Sequence, residues 1–102
     1  MTPPTYIYMR IYMERPEGYS INPFITPIFH VYVGITKNMK RRMKEHEKGL
    51  TRTTNRFNKS YEYVFTKYKE LEDIRYEQIF KKYSTIKKLE LSMSWKRWVG
   101  WQ

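Results

Sequence analysis

Two runs of strict alternation constrain this chain more than any other feature of it. From Tyr6 to Tyr12, the residues Ile7, Met9 and Ile11 point one way while Tyr6, Tyr8, Arg10 and Tyr12 point the other. From Phe29 to Ile35, the residues Phe29, Val31, Val33 and Ile35 oppose His30, Tyr32 and Gly34 in the same manner. A period of two is that of a strand with one face in a core. Paired antiparallel, the two runs bury their aliphatic faces together and put Tyr8 and Tyr32 on the same opposite face. Between them lie Arg15-Pro16-Glu17-Gly18, Asn22-Pro23 and Thr26-Pro27, whose prolines forbid a central strand, so the connection is a long loop.

The rest of the chain supplies one more strand and the helices. Asn38 is suited to cap a helix running to about Lys48, with Gly49 as its stop. Met39 and Met43, one turn apart, are placed to pack on the sheet, and Asn38, Arg42 and His46 form a separate stripe. Thr51 to Lys59 is polar and basic and reads as a loop. Tyr61 to Tyr68, rich in Tyr, Val and Phe, reads as a third strand, and Glu70 to Tyr83, free of Gly and Pro, as a helix. In that helix Glu77 is flanked by Ile74 and Phe80, at the edge of the buried stripe. Ile86 to Gln102 reads as a short strand or helix closing the domain, with a Trp-rich tail over about 92–102. A chain of 102 residues holds one core, so the expectation is a single domain over 1–102. Its class is α+β, with a small three-stranded antiparallel sheet flanked by helices.

Charge narrows the partner. Twenty Lys and Arg against ten acids give +10 at pH 7, an electrostatic footprint for a polyanion, of which nucleic acid is the commonest. Cysteine is absent, which excludes disulfides and thiolate zinc sites. The longest uncharged stretch, Tyr19 to Thr36, is broken by prolines, asparagine and histidine and follows no basic leader, so no membrane span or secretion signal is expected and the location is cytoplasmic. Alanine is missing while Lys, Tyr, Ile and Met abound, a bias pointing to an AT-rich genome of phage or viral kind. In that case the location is a host cell interior.

The segment Tyr32-Val33-Gly34-Ile35-Thr36, followed by Asn38, Arg42 and His46, resembles the second signature of the GIY-YIG nucleases and the helix after it. Tyr6-Ile7-Tyr8 resembles the first signature in the looser form that keeps its last tyrosine. Tyr8 and Tyr32 stand further apart than is usual in that family, which implies an insertion over about 13–28. Glu77 fits the place of the family's metal-binding glutamate, and Lys87-Lys88-Leu89-Glu90-Leu91 the basic segment after it. The resemblance implies a metal-dependent endonuclease acting on double-stranded or branched DNA, with RNA as a further candidate and a monomer or homodimer as its state. It implies Tyr32 as general base, Tyr8 positioning nucleophile and phosphate, and Arg42 on the phosphate. Glu77 then holds one Mg²⁺ or Mn²⁺.

These residue types suit the chemistry. Hydrolysis must deprotonate a water, stabilise charge on phosphorus and neutralise the departing 3′ oxygen. A free tyrosine is too weak an acid to serve readily as a base, but cations nearby favour its phenolate. Arginine's planar fork suits phosphate better than lysine does. His46 is a candidate to orient a tyrosine hydroxyl, contact phosphate or transfer a proton. Gly34, without a side chain, allows a close backbone approach by substrate. Thr36, Lys37, Asn38, Lys40, Arg41, Lys44, Arg52 and Arg56 are the expected substrate contacts, a cationic rim with no base code. Trp95, Trp98 and Trp101 are available to close the core, to form a dimer contact or to stack on unpaired bases. The alternative is a basic DNA- or RNA-binding module of the same fold that does not turn over.

Overall fold

The computed structural model describes residues 3–14, 28–49 and 63–100. Three long strands, β1 (Tyr6–Glu14), β2 (Ile28–Thr36) and β3 (Tyr63–Glu70), are joined by a two-residue strand β4 (Lys96–Arg97). Three helices accompany them: α1 (Met39–Glu47), α2 (Arg75–Lys81) and α3 (Thr85–Ser92). The sheet order is β2-β1-β3-β4 with every pair antiparallel. It is thus an α+β fold with an antiparallel sheet and flanking helices, as the alternation predicts.

Because β1 is central, it is covered on both faces. Ile7, Met9 and Ile11 join Val33, Phe80 and Trp95 in an aliphatic and aromatic core on the side of α2 and α3. Tyr8 joins Met39 and Met43 of α1 on the other side, with Tyr6, Tyr32, Tyr68 and Trp98 around them. Each methionine is 2% exposed, worth about 1.5–3 kcal/mol apiece relative to open solvent. That burial ties α1 to the tyrosine face.

Local chemistry sets the ends of α1. The Asn38 side chain accepts from the Arg41 backbone N–H at 3.0 Å, and Gly49 takes φ 71°, the left-handed conformation that follows a helix end. Two expectations need correction. The sheet has four strands, because Lys67 and Tyr68 of β3 pair with Arg97 and Lys96. The helix expected over 70–83 is shorter: Glu70 still pairs with Tyr6 in the sheet, and α2 begins only at Arg75. There the Asp73 carboxylate accepts from the Arg75 backbone N–H at 2.9 Å. After α2, the Ser84 side chain accepts from the Lys87 N–H at 3.1 Å and opens α3 as a separate helix.

The tail closes the domain through Trp95, 5% exposed in the aliphatic core, and through β4. The body of the expected insertion, the basic loop over 51–59 and Trp101 lie outside the described residues. Among the described residues, no helix is long and apolar enough to cross a membrane.

Candidate active site

The site begins with register. Tyr8 stands opposite Gly34 and Arg10 opposite Tyr32, so the two tyrosines are diagonal neighbours on one face with ring centroids 6.0 Å apart. Glycine is required at 34 by a contact within the sheet itself. A Cβ there would lie 2.6 Å from the Tyr8 hydroxyl oxygen, 2.7 Å from Tyr8 Cζ and 2.9 Å from Tyr32 Cε1. The space its missing side chain leaves is filled by the end of the Tyr8 side chain, with the Tyr32 ring beside it.

Helix α1 then delivers two side chains to the pair. Arg42 Nε donates to the Tyr8 hydroxyl at 3.1 Å and its Nη2 to the Tyr32 hydroxyl at 3.4 Å. Its third nitrogen, Nη1, donates to Glu45 Oε2 at 2.9 Å. One guanidinium therefore spans both phenols and one carboxylate. One turn on, His46 Nε2 lies 2.8 Å from the Tyr8 hydroxyl, and its ring meets both tyrosine rings edge-on at 5.6 and 5.2 Å. Since the Tyr8 oxygen already accepts from Arg42, its own proton is free to go to His46 Nε2. In the tautomer that carries its proton on Nδ1, His46 Nε2 accepts that hydrogen bond from Tyr8.

Electrostatics sharpen these roles. Burial pushes the Tyr8 phenol above its usual value, more than the hydrogen bond from Arg42 lowers it. Burial likewise pushes His46 down to about 4, with the Arg10 and Arg42 charges acting in the same direction. His46 is thus neutral at physiological pH, and Tyr8, 0% exposed, keeps its proton.

The buried imidazole has a consequence for stability. Unfolded, it titrates near 6.5, and folded near 4, so between those values the unfolded chain holds a proton that the native chain lacks. Its contribution is complete above about pH 6.5 and declines as the pH falls toward 4, by on the order of 3 kcal/mol. The half-buried Asp73 carboxyl, held at about 2 by hydrogen bonds from Arg75, acts at lower pH. Denaturant titrations at pH 7 and pH 4.5 should show this loss in the native chain and a much flatter profile in His46→Gln. Equal losses in both would remove His46 as the cause.

Tyr8, Tyr32, Arg42 and His46 are therefore brought together, while Glu77 is not joined to them by any hydrogen bond. Glu77 sits in α2, whose Tyr76 and Phe80 pack on the aliphatic side of the sheet, and its Oε2 lies 3.5 Å from Lys81 Nζ. Among the described residues, no group of three or more His, Cys, Asp or Glu gathers to cage an ion. A lone carboxylate still fits Mg²⁺, which characteristically keeps waters and takes one or two carboxylates plus substrate phosphates.

The expected substrate contacts divide by what holds them. Thr36 Oγ1 accepts from the Asn38 backbone N–H at 3.1 Å, so Thr36 and Asn38 build the start of α1. Lys37, Lys40, Arg41 and Lys44 are exposed, Arg41 beside Glu45 at 3.4 Å. Arg52 and Arg56 lie outside the described residues. Two participants escaped the sequence reading. Glu45 was detectable three residues after Arg42, within reach on a helix. Arg10 was visible as a cation on a strand face otherwise aromatic.

The family model for the GIY-YIG catalytic domain matches residues 28–100. No curated protein and no solved structure matches the chain. The match starts at β2, so Tyr8 enters the site through the pairing of β1 with β2.

Proposed function

The chain belongs to the GIY-YIG family of catalytic domains, and from that premise we propose that it is an endonuclease hydrolysing DNA phosphodiester bonds with Tyr32 as general base. The observation that carries this reading is the Arg42 guanidinium bridging the hydroxyls of Tyr8 and Tyr32.

The division of labour follows from exposure. Tyr8 is wholly buried and hydrogen-bonded to His46 and Arg42, so it positions Arg42 and Tyr32 instead of touching water. Tyr32 is only partly buried and its oxygen faces a fixed cation that stabilises the phenolate; the phenolate takes the proton of the attacking water and becomes a neutral phenol as hydroxide adds to phosphorus. Arg42 holds the non-bridging phosphate oxygens, its Nη1 exchanging Glu45 for phosphate as substrate arrives. A divalent ion, Mg²⁺ or Mn²⁺, held by Glu77 with waters and phosphate oxygens would neutralise charge at the departing 3′ oxygen. Lys40, Arg41 and Lys44 of α1, with Lys37 just before it, hold the backbone of the DNA without reading bases.

The purified protein should nick supercoiled plasmid with Mg²⁺. Tyr32→Phe should lower the rate by about 10²- to 10⁴-fold with an unchanged circular dichroism spectrum. Glu77→Gln should raise the Mg²⁺ concentration needed for half-maximal rate. Salt-sensitive binding with no cleavage in Mg²⁺ or Mn²⁺ would instead support a binding module that does not turn over.

A further inference from the structure

Two residues beyond Tyr8 on the same face, Arg10 is 9% exposed, yet no carboxylate among the described residues pairs with it. Its Nε donates to the Tyr12 hydroxyl at 2.9 Å, and its Nη1 to Thr66 Oγ1 at 3.3 Å and to Met43 Sδ at 3.7 Å. Nη2 has no hydrogen-bond partner among the described residues. A guanidinium brings five N–H donors and a full charge, and burying one against neutral acceptors alone is costly. Fully buried polar side-chain atoms among the described residues all have partners, so Nη2 must open onto solvent.

An opening is present. A cavity of about 370 Å³ is lined by Arg10, Thr66, Glu47, Arg97, Trp98 and Gly100, among others. Arg97 is held over the Phe65 ring at 5.2 Å and donates to the Tyr63 hydroxyl. Trp98 meets Tyr68 edge-on at 6.0 Å. Glu47 is exposed and pairs with neither guanidinium. Two arginines thus face one cavity without an acid bound to either, and an aromatic ring borders it.

We propose that this cavity is a second anion subsite, which takes the phosphate of the DNA strand adjacent to the scissile one and lays its base against Trp98. Arg10 stands opposite Tyr32 in the register of β1 and β2, on the same face as Tyr8, so the cavity adjoins the part of the sheet that carries Tyr32. The cavity then holds the strand on the tyrosine face beside Arg42 and Tyr32. The proposal rests on the reading of this chain as a DNA-binding catalytic domain, but it does not require turnover.

The test is binding of an eight-nucleotide thymidine oligomer in EDTA, where no metal-dependent cleavage can occur, followed by quenching of tryptophan emission over a range of salt. Removing one phosphate contact on a single strand lowers the slope of log K against log salt by about 0.7. Arg10→Met and Arg97→Gln should each lower it by that amount and weaken binding about tenfold at low salt. Trp98→Phe should remove most of the quenching. An unchanged slope in both arginine variants, or full quenching in Trp98→Phe, overturns the subsite. Should Arg10→Met fail to fold, as judged by its thermal melt, the exposed Arg97 decides through its own slope. Cleavage with no subsite signature sinks this proposal and spares the nuclease reading. The signature without cleavage does the reverse.

Discussion

Arg42→Lys is expected to lower the rate of plasmid nicking by about 10³-fold while leaving the fold intact. The arginine does three things at once, reaching Tyr8, Tyr32 and Glu45 through three different nitrogens. An ammonium is a single point of charge at the end of a flexible stem and cannot span two phenols while also presenting a fork to phosphate. Charge is conserved in the substitution, so long-range attraction of DNA should change little and the loss should fall on kcat. Removal of one donor that stabilises charge in a transition state costs roughly 10²- to 10³-fold, and here the same change also unfixes the general base. Side-chain exposure of 28% at Arg42 keeps the structural cost small. Single-turnover nicking rates at saturating enzyme, with binding measured in parallel, separate the two effects. A loss confined to affinity would show that Arg42 attracts the substrate and does not act on the reacting phosphate.

Gly34→Ala is expected to destabilise the fold strongly for the addition of a single methyl. All three nearest atoms to the new Cβ lie under 3.0 Å, and two of them belong to Tyr8, which is 0% exposed and pinned by His46 and Arg42. Neither ring can give way without losing those bonds. Overpacking of this kind costs about 1–3 kcal/mol. A cost of about 2 kcal/mol corresponds to a fall in Tm of roughly 8–16 °C for a domain of this size. Cleavage should fall as well, because the clash displaces both tyrosines from Arg42. Alanine at Gly100 is the control for steric clash: nothing lies within 4 Å of its Cβ position, so its cost comes only from its φ of 87°. Thermal melts of the two variants compare them directly. An unaltered melt in Gly34→Ala would mean that Tyr8 does not rest over this position.

The faces of β1 and β2 were legible because alternation is a property of each strand alone. Ile7, Met9 and Ile11 had to share a side, and Tyr8 had to oppose them. The start of α1 was legible for a similar reason, since Asn38 finds its partner three residues away. So were Arg42 and His46, which the helical period sets one and two turns inside the helix on one stripe. The end of the second helix at Tyr83 was legible as well, whereas the segment after it was left open between strand and helix although Ser84 is able to cap the helix that forms there. Glu77 shows where such reasoning stops. Its place in the chain and its flank of apolar neighbours were readable, but the side of the sheet its helix would cover was not.

The sequence by itself determined which residues share a face, where α1 begins and that the chain carries a large positive charge, because these depend on neighbours a few positions away. Only the tertiary structure decided that Gly34 makes room for Tyr8, that one guanidinium spans both phenols, and that Arg10 opens onto a cavity bordered by Arg97 and Trp98. Those contacts join segments far apart in the chain. Each is fixed by strand register and by how side chains share a crowded space, quantities that no local pattern encodes.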